Sequence, residues 1–469
     1  MKRRINFNIF TVLISLVLCV LYKPGLNESF DGLQNFALSI FAIINVLIFW
    51  NTSIKITKSW VNYNTLFLLG FLIVHFQIPF LASIGIEPIR PSFIWINKSV
   101  VNYAVWLSVL ALLLWILGSL LYYNKARKRN VQKVAIYNID TKKIDALLTV
   151  FLILFILLVG QKFLRGSYDG GRNWGAGANY AYLILRILIL LRILYFFINT
   201  SHLKLSIKKI IRLIFRNKIF VIILIIYFLI FLLSGDRGPI LEILILCAVS
   251  YSLYQKKISF GFFVTALVIG GFLLTIIGLG RSRDSSEQNQ NLFTQGYEKL
   301  INSDKAFNPT NELASSNRIL FRAIDVVPDK HPYLYGTTFV TEIIGVFPFG
   351  ANAFLTITQL PDMYISSSYF FTILGQGQFY TYGEGSEILG DIYINFGFYG
   401  VLILMFGLGY FIAFITTNAL YTYNHRYILI YVILTIGALY LNRSNYLEPF
   451  KLIVYAIALD RLLTRKNIL

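Results

Sequence analysis

Charge is scarce in this chain: of its 469 residues only 14% are Asp, Glu, Lys or Arg, against about 25% in soluble domains. Cysteine is nearly absent. Cys19 and Cys247 both stand inside apolar runs, so they read as small buried residues and no disulfide framework is implied. There is no P-loop, no HExxH, no CxxC and no glycine-rich dinucleotide fingerprint. The four histidines, His75, His202, His331 and His425, do not cluster in position. ATP hydrolysis and a zinc centre are therefore not expected, and neither a cofactor nor a metal is called for. Energy has to come from an activated substrate or an ion gradient.

What is abundant is apolar sequence. Hydrophobic residues make up 57% of the chain and the mean hydropathy is +0.67. Many runs approach the ~20 residues that a helix needs to cross a bilayer. An all-α polytopic membrane protein is expected, with about twelve spans at 5–22, 35–50, 63–82, 101–123, 144–163, 178–199, 219–234, 239–254, 259–280, 393–416, 427–441 and 448–463. The first, with its basic head, reads as an uncleaved span. The formal net charge of +20 would suggest nucleic acid in a soluble protein. Here its placement matters more, because Lys and Arg collect on the cytoplasmic side of membrane helices. The loops "NKARKRNVQKVAIYNIDTKK" and "HLKLSIKKIIRLIFRNK" are densely basic, which places both termini inside. Three parts follow: residues 1–280 with nine spans, a large external loop at 281–392, and residues 393–469 with three spans and a tail. The loop carries apolar stretches, "FVTEIIGVFPFG" and "AFLTITQL", too short to cross and suited to surface or re-entrant helices.

The lysines follow this topology, and the arginines do not. Arg90, Arg165, Arg172, Arg237, Arg281, Arg283, Arg318, Arg322 and Arg443 all fall at or above the outer face. Arginine holds phosphate through a planar fork that stays charged, so the group points to an external anion site. The stretch "SGDRGP" makes this specific. Gly235–Pro239 forms the corner of a hairpin, with Pro239 suited to a first helical turn and Asp236 to a cap. The next helix would point its positive end outward beside Arg237, with Asp236 and Glu242 placed to orient that arginine. Arg186 and Arg192, within a span, should face the bundle interior or a wet cavity. In "GQGQFYTYGEGSEILGDIYINFGFYG", Glu384, Glu387 and Asp391 are candidates to deprotonate a hydroxyl, or else to pair with arginines. Phe379, Tyr380 and Tyr382 are placed to stack on sugars or at the interface.

The segments "SGDRGPILEILIL", "RAIDVVPDKHPYLYGTTFVTEIIGVFPFG" and "SEILGDIYINFGFYGVLI" resemble the Wzy-type polymerases of O-antigen and capsular polysaccharide. The resemblance implies a GT-C-like bundle with one large external loop in the bacterial cytoplasmic membrane. It implies a metal-independent glycosyltransferase whose donor and acceptor are glycans on undecaprenyl pyrophosphate, acting with a chain-length regulator protein. Arg237, Arg165, Arg172, Arg281, Arg283, Arg318 and Arg443, with Asp236, would hold pyrophosphate, and one of Asp391, Glu387 and Glu384 would be the base. An O-antigen ligase is the nearest alternative, but the loop's histidine, in "KHPYLYGTTF", fits that pattern poorly. A flippase of lipid-linked sugars is expected to have short loops and bundle charges.

Overall fold

The computed structural model describes residues 2–126, 141–160, 163, 174–203, 207–280, 292–301, 309–422 and 424–464. Among these residues every regular element is helical. Six helices are long and apolar enough to cross a membrane: Arg3–Leu21, Gly32–Thr57, Tyr63–Ser83, Lys98–Ala126, Gly177–Thr200 and Ile388–Thr422. Shorter apolar helices lie at Lys218–Ser234, Gly238–Tyr254, Phe260–Leu273 and His425–Gly437. Two further helices, Lys142–Val159 and Glu448–Thr464, overlap expected spans but carry more charged residues. This is the make-up of a polytopic membrane protein.

The described residues fall into two compact units. The first draws on Met1–Lys58, Asn62–Val134 and Thr310–Val454, the second on Ser59–Val61, Ala135–Pro309 and Tyr455–Leu469. At the centre of the first, helix Val101–Ala126 packs along helix Ile388–Thr422. The approach is close because glycine faces backbone: a β-carbon at Gly118 would strike the Phe406 carbonyl, and one at Gly409 the Trp115 carbonyl. Ser119 donates to the Gly409 carbonyl at 2.9 Å. Lipid tails are as apolar as leucine, so small residues and interhelical hydrogen bonds must supply the cohesion that water supplies elsewhere.

Helix Ile388–Thr422 is not continuous. Gly397 has φ +64° and ψ −158°, a conformation open to glycine but strained for other residues. The break frees the Ile394 carbonyl, which accepts the Leu334 backbone N–H at 2.9 Å. Irregular backbone at membrane depth is tolerated where other protein groups satisfy it. The preceding segment folds as short helices, Asn311–Ala314, Asn317–Val326, Thr337–Ile344, Gly350–Thr358 and Ser367–Gln376. The two apolar stretches expected to form surface or re-entrant helices are thus Thr337–Ile344 and Gly350–Thr358.

In the second unit, the arginines inside the bundle are paired with acids. Arg192, 1% exposed, donates to Asp145 at 2.6 Å and to Asn217 at 2.7 Å, and its guanidinium lies 4.5 Å from the Phe220 ring centroid. Arg186 makes two bonds to Glu242, at 2.6 and 2.7 Å. Tyr195 donates to Asp460. The expectation that Arg186 and Arg192 face inward is met, by ion pairs between helices.

Candidate functional site

The carboxylates and arginines of the first unit converge on the segment 384–391. Between helix Ser367–Gln376 and Ile388, the glycine-rich stretch 377–387, with Gly377, Gly383 and Gly385, forms no helix, and the segment threads between other elements. Glu384 lies 7% exposed and is held from three sides. Its carboxylate meets Arg318 at 2.5 Å and Arg322 at 3.7 Å, and Gln376 donates to it at 3.2 Å. Arg318 also donates to the Glu384 carbonyl at 2.9 Å and stands 4.2 Å from the Phe93 ring centroid. Arg318 and Arg322 are four apart on Asn317–Val326 and so share a face. Gly375 makes room for the second of them, since a β-carbon there would collide with the Arg322 guanidinium.

Arg443 extends the cluster outward. It reaches Glu312 at 3.1 Å, with both side chains substantially exposed. Burial pulls Arg318 below the usual arginine range. Glu384 opposes that shift, while the positive charges of Arg322 and Arg443 add to it. Three guanidinium groups thus share a field partly offset by two carboxylates. Phe93 and the half-exposed Tyr382 stand beside them, with ring centroids 6.4 Å apart. Such a surface suits a polyanion joined to a ring system that can stack.

Glu387 serves the helix that follows it. Its carboxylate accepts the backbone N–H groups of Leu389 at 2.8 Å and Gly390 at 2.6 Å, filling donors left free at a helix start. His75 Nε2 lies 3.2 Å from the same carboxylate, with both side chains fully buried.

Asp391 is also fully buried. It accepts the Tyr446 backbone N–H at 2.8 Å and the Thr338 hydroxyl at 3.4 Å. Asn395, one turn on, donates to Thr338 at 2.7 Å. Ser367 completes the surroundings by donating to Asn445 at 2.6 Å. Asp391 therefore ties the short half of the broken helix to both Thr337–Ile344 and the 445–447 segment.

Arg237 and Asp236 belong to the second unit. Gly235, at φ +76°, ends Lys218–Ser234 in the left-handed region. The Asp236 side chain accepts the Gly238 N–H at 3.2 Å, and Pro239 lies in the first turn of Gly238–Tyr254. The hairpin is the one the sequence predicts. Arg237 is half-buried at that helix start, and Glu242 engages Arg186. Arg165, Arg172, Arg281 and Arg283 lie outside the described residues.

Sequence reasoning placed Arg322 among the outer arginines without assigning it to the site, and it missed His75, Glu342, Thr338, Asn395 and Tyr446. The four-residue spacing of Arg318 and Arg322 was a usable signal for the first. The others come together through contacts more than 40 positions apart in sequence, which no local pattern reports.

A family model described as O-antigen polysaccharide polymerase Wzy matches residues 214–463. No curated protein matches the chain, and no solved structure does.

Proposed function

The chain belongs to the O-antigen polysaccharide polymerase Wzy family, and from that premise we propose that it lengthens a surface polysaccharide by joining oligosaccharide repeat units carried on undecaprenyl pyrophosphate. The reaction takes place at the outer face of the cytoplasmic membrane. A hydroxyl of the acceptor unit attacks the anomeric carbon of the donor glycan, and the bond to pyrophosphate breaks with its electron pair leaving on the lipid carrier. The energy is already stored in the donor, in keeping with a chain that has no nucleotide-binding motif. A bundle of about twelve spans, both termini cytoplasmic, presents the 281–392 region outward, and a chain-length regulator acts with it.

The arginine cluster carries this reading. Arg318, Arg322 and Arg443 gather beside aromatic side chains, as binding of a sugar pyrophosphate requires. Fixed guanidinium groups stabilise the charge that develops on the leaving pyrophosphate, and they do so best where little water competes. Glu384 keeps Arg318 and Arg322 in place before substrate arrives. Arg237, Arg165, Arg172, Arg281 and Arg283 are assigned to pyrophosphate binding from their placement in the sequence. Asp391 belongs to the acid–base machinery, and Glu387 fixes the helix that carries it.

Deleting the gene in its host and sizing the surface glycan tests the proposal. Loss of the polymerase leaves single repeat units attached to the surface acceptor. Long chains retained on the lipid carrier would instead indicate a ligase, and single units left on the cytoplasmic face a flippase. Either result overturns the reading.

A further inference from the structure

Among the described carboxylates of this region, three are committed to protein partners: Glu384 to Arg318, Glu387 to two backbone N–H groups, and Asp391 to Tyr446. Glu342 differs. Its carboxylate oxygens are buried and meet no hydrogen-bond donor in good geometry, although the residue as a whole is partly exposed. It therefore stands at the edge of the buried polar region, one turn after Thr338 on Thr337–Ile344.

Two observations bring Glu342 to Asp391. Thr338, on the same helix face, touches Asp391 and Asn395. The 445–447 segment serves both acids: Tyr446 donates its N–H to Asp391, while the Asn445 side chain and the Leu447 backbone approach Glu342 as weak hydrogen-bond donors. Phe339 stacks on Tyr446 with centroids 5.6 Å apart and planes 9° from parallel, which fixes that segment against the helix carrying Glu342. A third observation marks the place as built for more than its own side chains: Asn395 is fully buried, yet its Oδ1 has no partner.

We propose that Glu342 and Asp391 work as a carboxyl pair holding one proton, with Glu342 the member that takes the proton of the acceptor hydroxyl. This deepens the polymerase reading and rests on it. Two carboxylates buried within reach of each other's field do not readily both ionise, because each charge raises the cost of the other. Asp391 carries the negative charge, since it has the Tyr446 N–H and the Thr338 hydroxyl. Burial, then the charges of Asp391 and Glu448, hold Glu342 well above the usual carboxylate range.

As the acceptor oxygen bonds to the anomeric carbon, its proton passes to Glu342 and the proton already on Glu342 passes to Asp391. The bond from that carbon to pyrophosphate breaks, and its electron pair leaves on the lipid pyrophosphate. The pair then holds two protons and gives one to water once product departs. The groups able to influence this titration are Asp391 on the broken helix, Glu448 and Lys451 on Glu448–Thr464, Tyr446, and Tyr364, whose carbonyl accepts from Thr341 at 3.4 Å.

The test uses the full-length protein in proteoliposomes, supplied with lipid-linked repeat units extracted from a strain lacking the gene. Glu342→Gln should lower kcat by at least about 100-fold with KM changed less than about threefold. The alkaline limb of its kcat profile, set in wild type by loss of the shared proton, should disappear, because Asp391 then titrates alone. Wild-type kcat, or a reduced kcat with an unmoved limb, overturns the proposal. If Glu342→Gln does not accumulate, Glu342→Asp is read in its place: a lowered kcat that keeps the limb supports the pair, and a lost limb sinks it. A wild-type protein that extends no chains removes the polymerase reading itself, whereas an active wild type with a fully active Glu342→Gln removes this inference alone. Glu87→Gln, in the exposed pair with Lys98, serves as the control expected to behave as wild type.

Discussion

Leu334 donates its backbone N–H to the Ile394 carbonyl at 2.9 Å, and that bond is what lets a membrane helix break without leaving its backbone unsatisfied. Gly397 sits at the break with φ +64°, and a β-carbon there would stand 2.8 Å from the Tyr333 hydroxyl. Gly397→Ala meets both backbone strain and a clash. It should destabilise the protein by about 1–3 kcal/mol, read as a lower thermal midpoint in detergent. An unchanged midpoint would mean that the helix runs straight through this position.

Removing one member of a buried ion pair leaves the other charge stranded. Arg318→Ala leaves Glu384 only Arg322 at 3.7 Å and Gln376 at 3.2 Å, and a loss toward the lower end of the about 3–5 kcal/mol for breaking a buried pair is expected, seen as poor accumulation. Arg443→Ala is different, because its pair with Glu312 is exposed. It should leave accumulation normal while raising KM for the lipid-linked donor about tenfold, roughly 1.4 kcal/mol of binding. A normal KM in Arg443→Ala would take that residue out of the pyrophosphate site.

For Arg237 the outcome expected is loss of chain extension at normal protein level in Arg237→Ala. The corner itself is made by Gly235, Asp236 and Pro239, so the turn survives the change. Wild-type chain lengths from this variant would end the pyrophosphate role of Arg237 and leave its part as a helix start.

Stability should depend on pH through Glu342. Its folded-state pKa is raised, first by burial and then by the charges of Asp391 and Glu448, so the folded state binds the proton more tightly than the unfolded chain. The resulting stability is fully present below the ordinary carboxylate range and is lost as pH rises through the raised value. Thermal midpoints should therefore fall from mildly acidic to alkaline pH, and Glu342→Gln should flatten that slope. An equal slope in both proteins would contradict the assignment.

Much of the architecture was legible because bilayer physics writes it into long apolar runs. The corner at 235–239 was legible for a local reason: left-handed glycine, capping aspartate and proline in the first turn all act within five residues. The break at Gly397 was not, because "NFGFYG" reads equally well as a continuous span when Leu334 is not known to lie beside it. Among the carboxylates, the spacing of Glu387 and Asp391 marked them as neighbours. It could not say that one would cap the helix and the other tie it to residues 338 and 446. Glu342 stood in "FVTEIIGVFPFG" with nothing local to mark it as a site residue, and its environment is assembled from three separate stretches of chain.

Gly375 has a further use. Its missing side chain is the space that the Arg322 guanidinium occupies, so the two positions are a single steric decision written at two places in the chain. In any set of related sequences, a larger residue at the position of Gly375 should accompany loss of arginine at that of Arg322. That paired substitution would show which relatives have moved the anion-binding chemistry elsewhere.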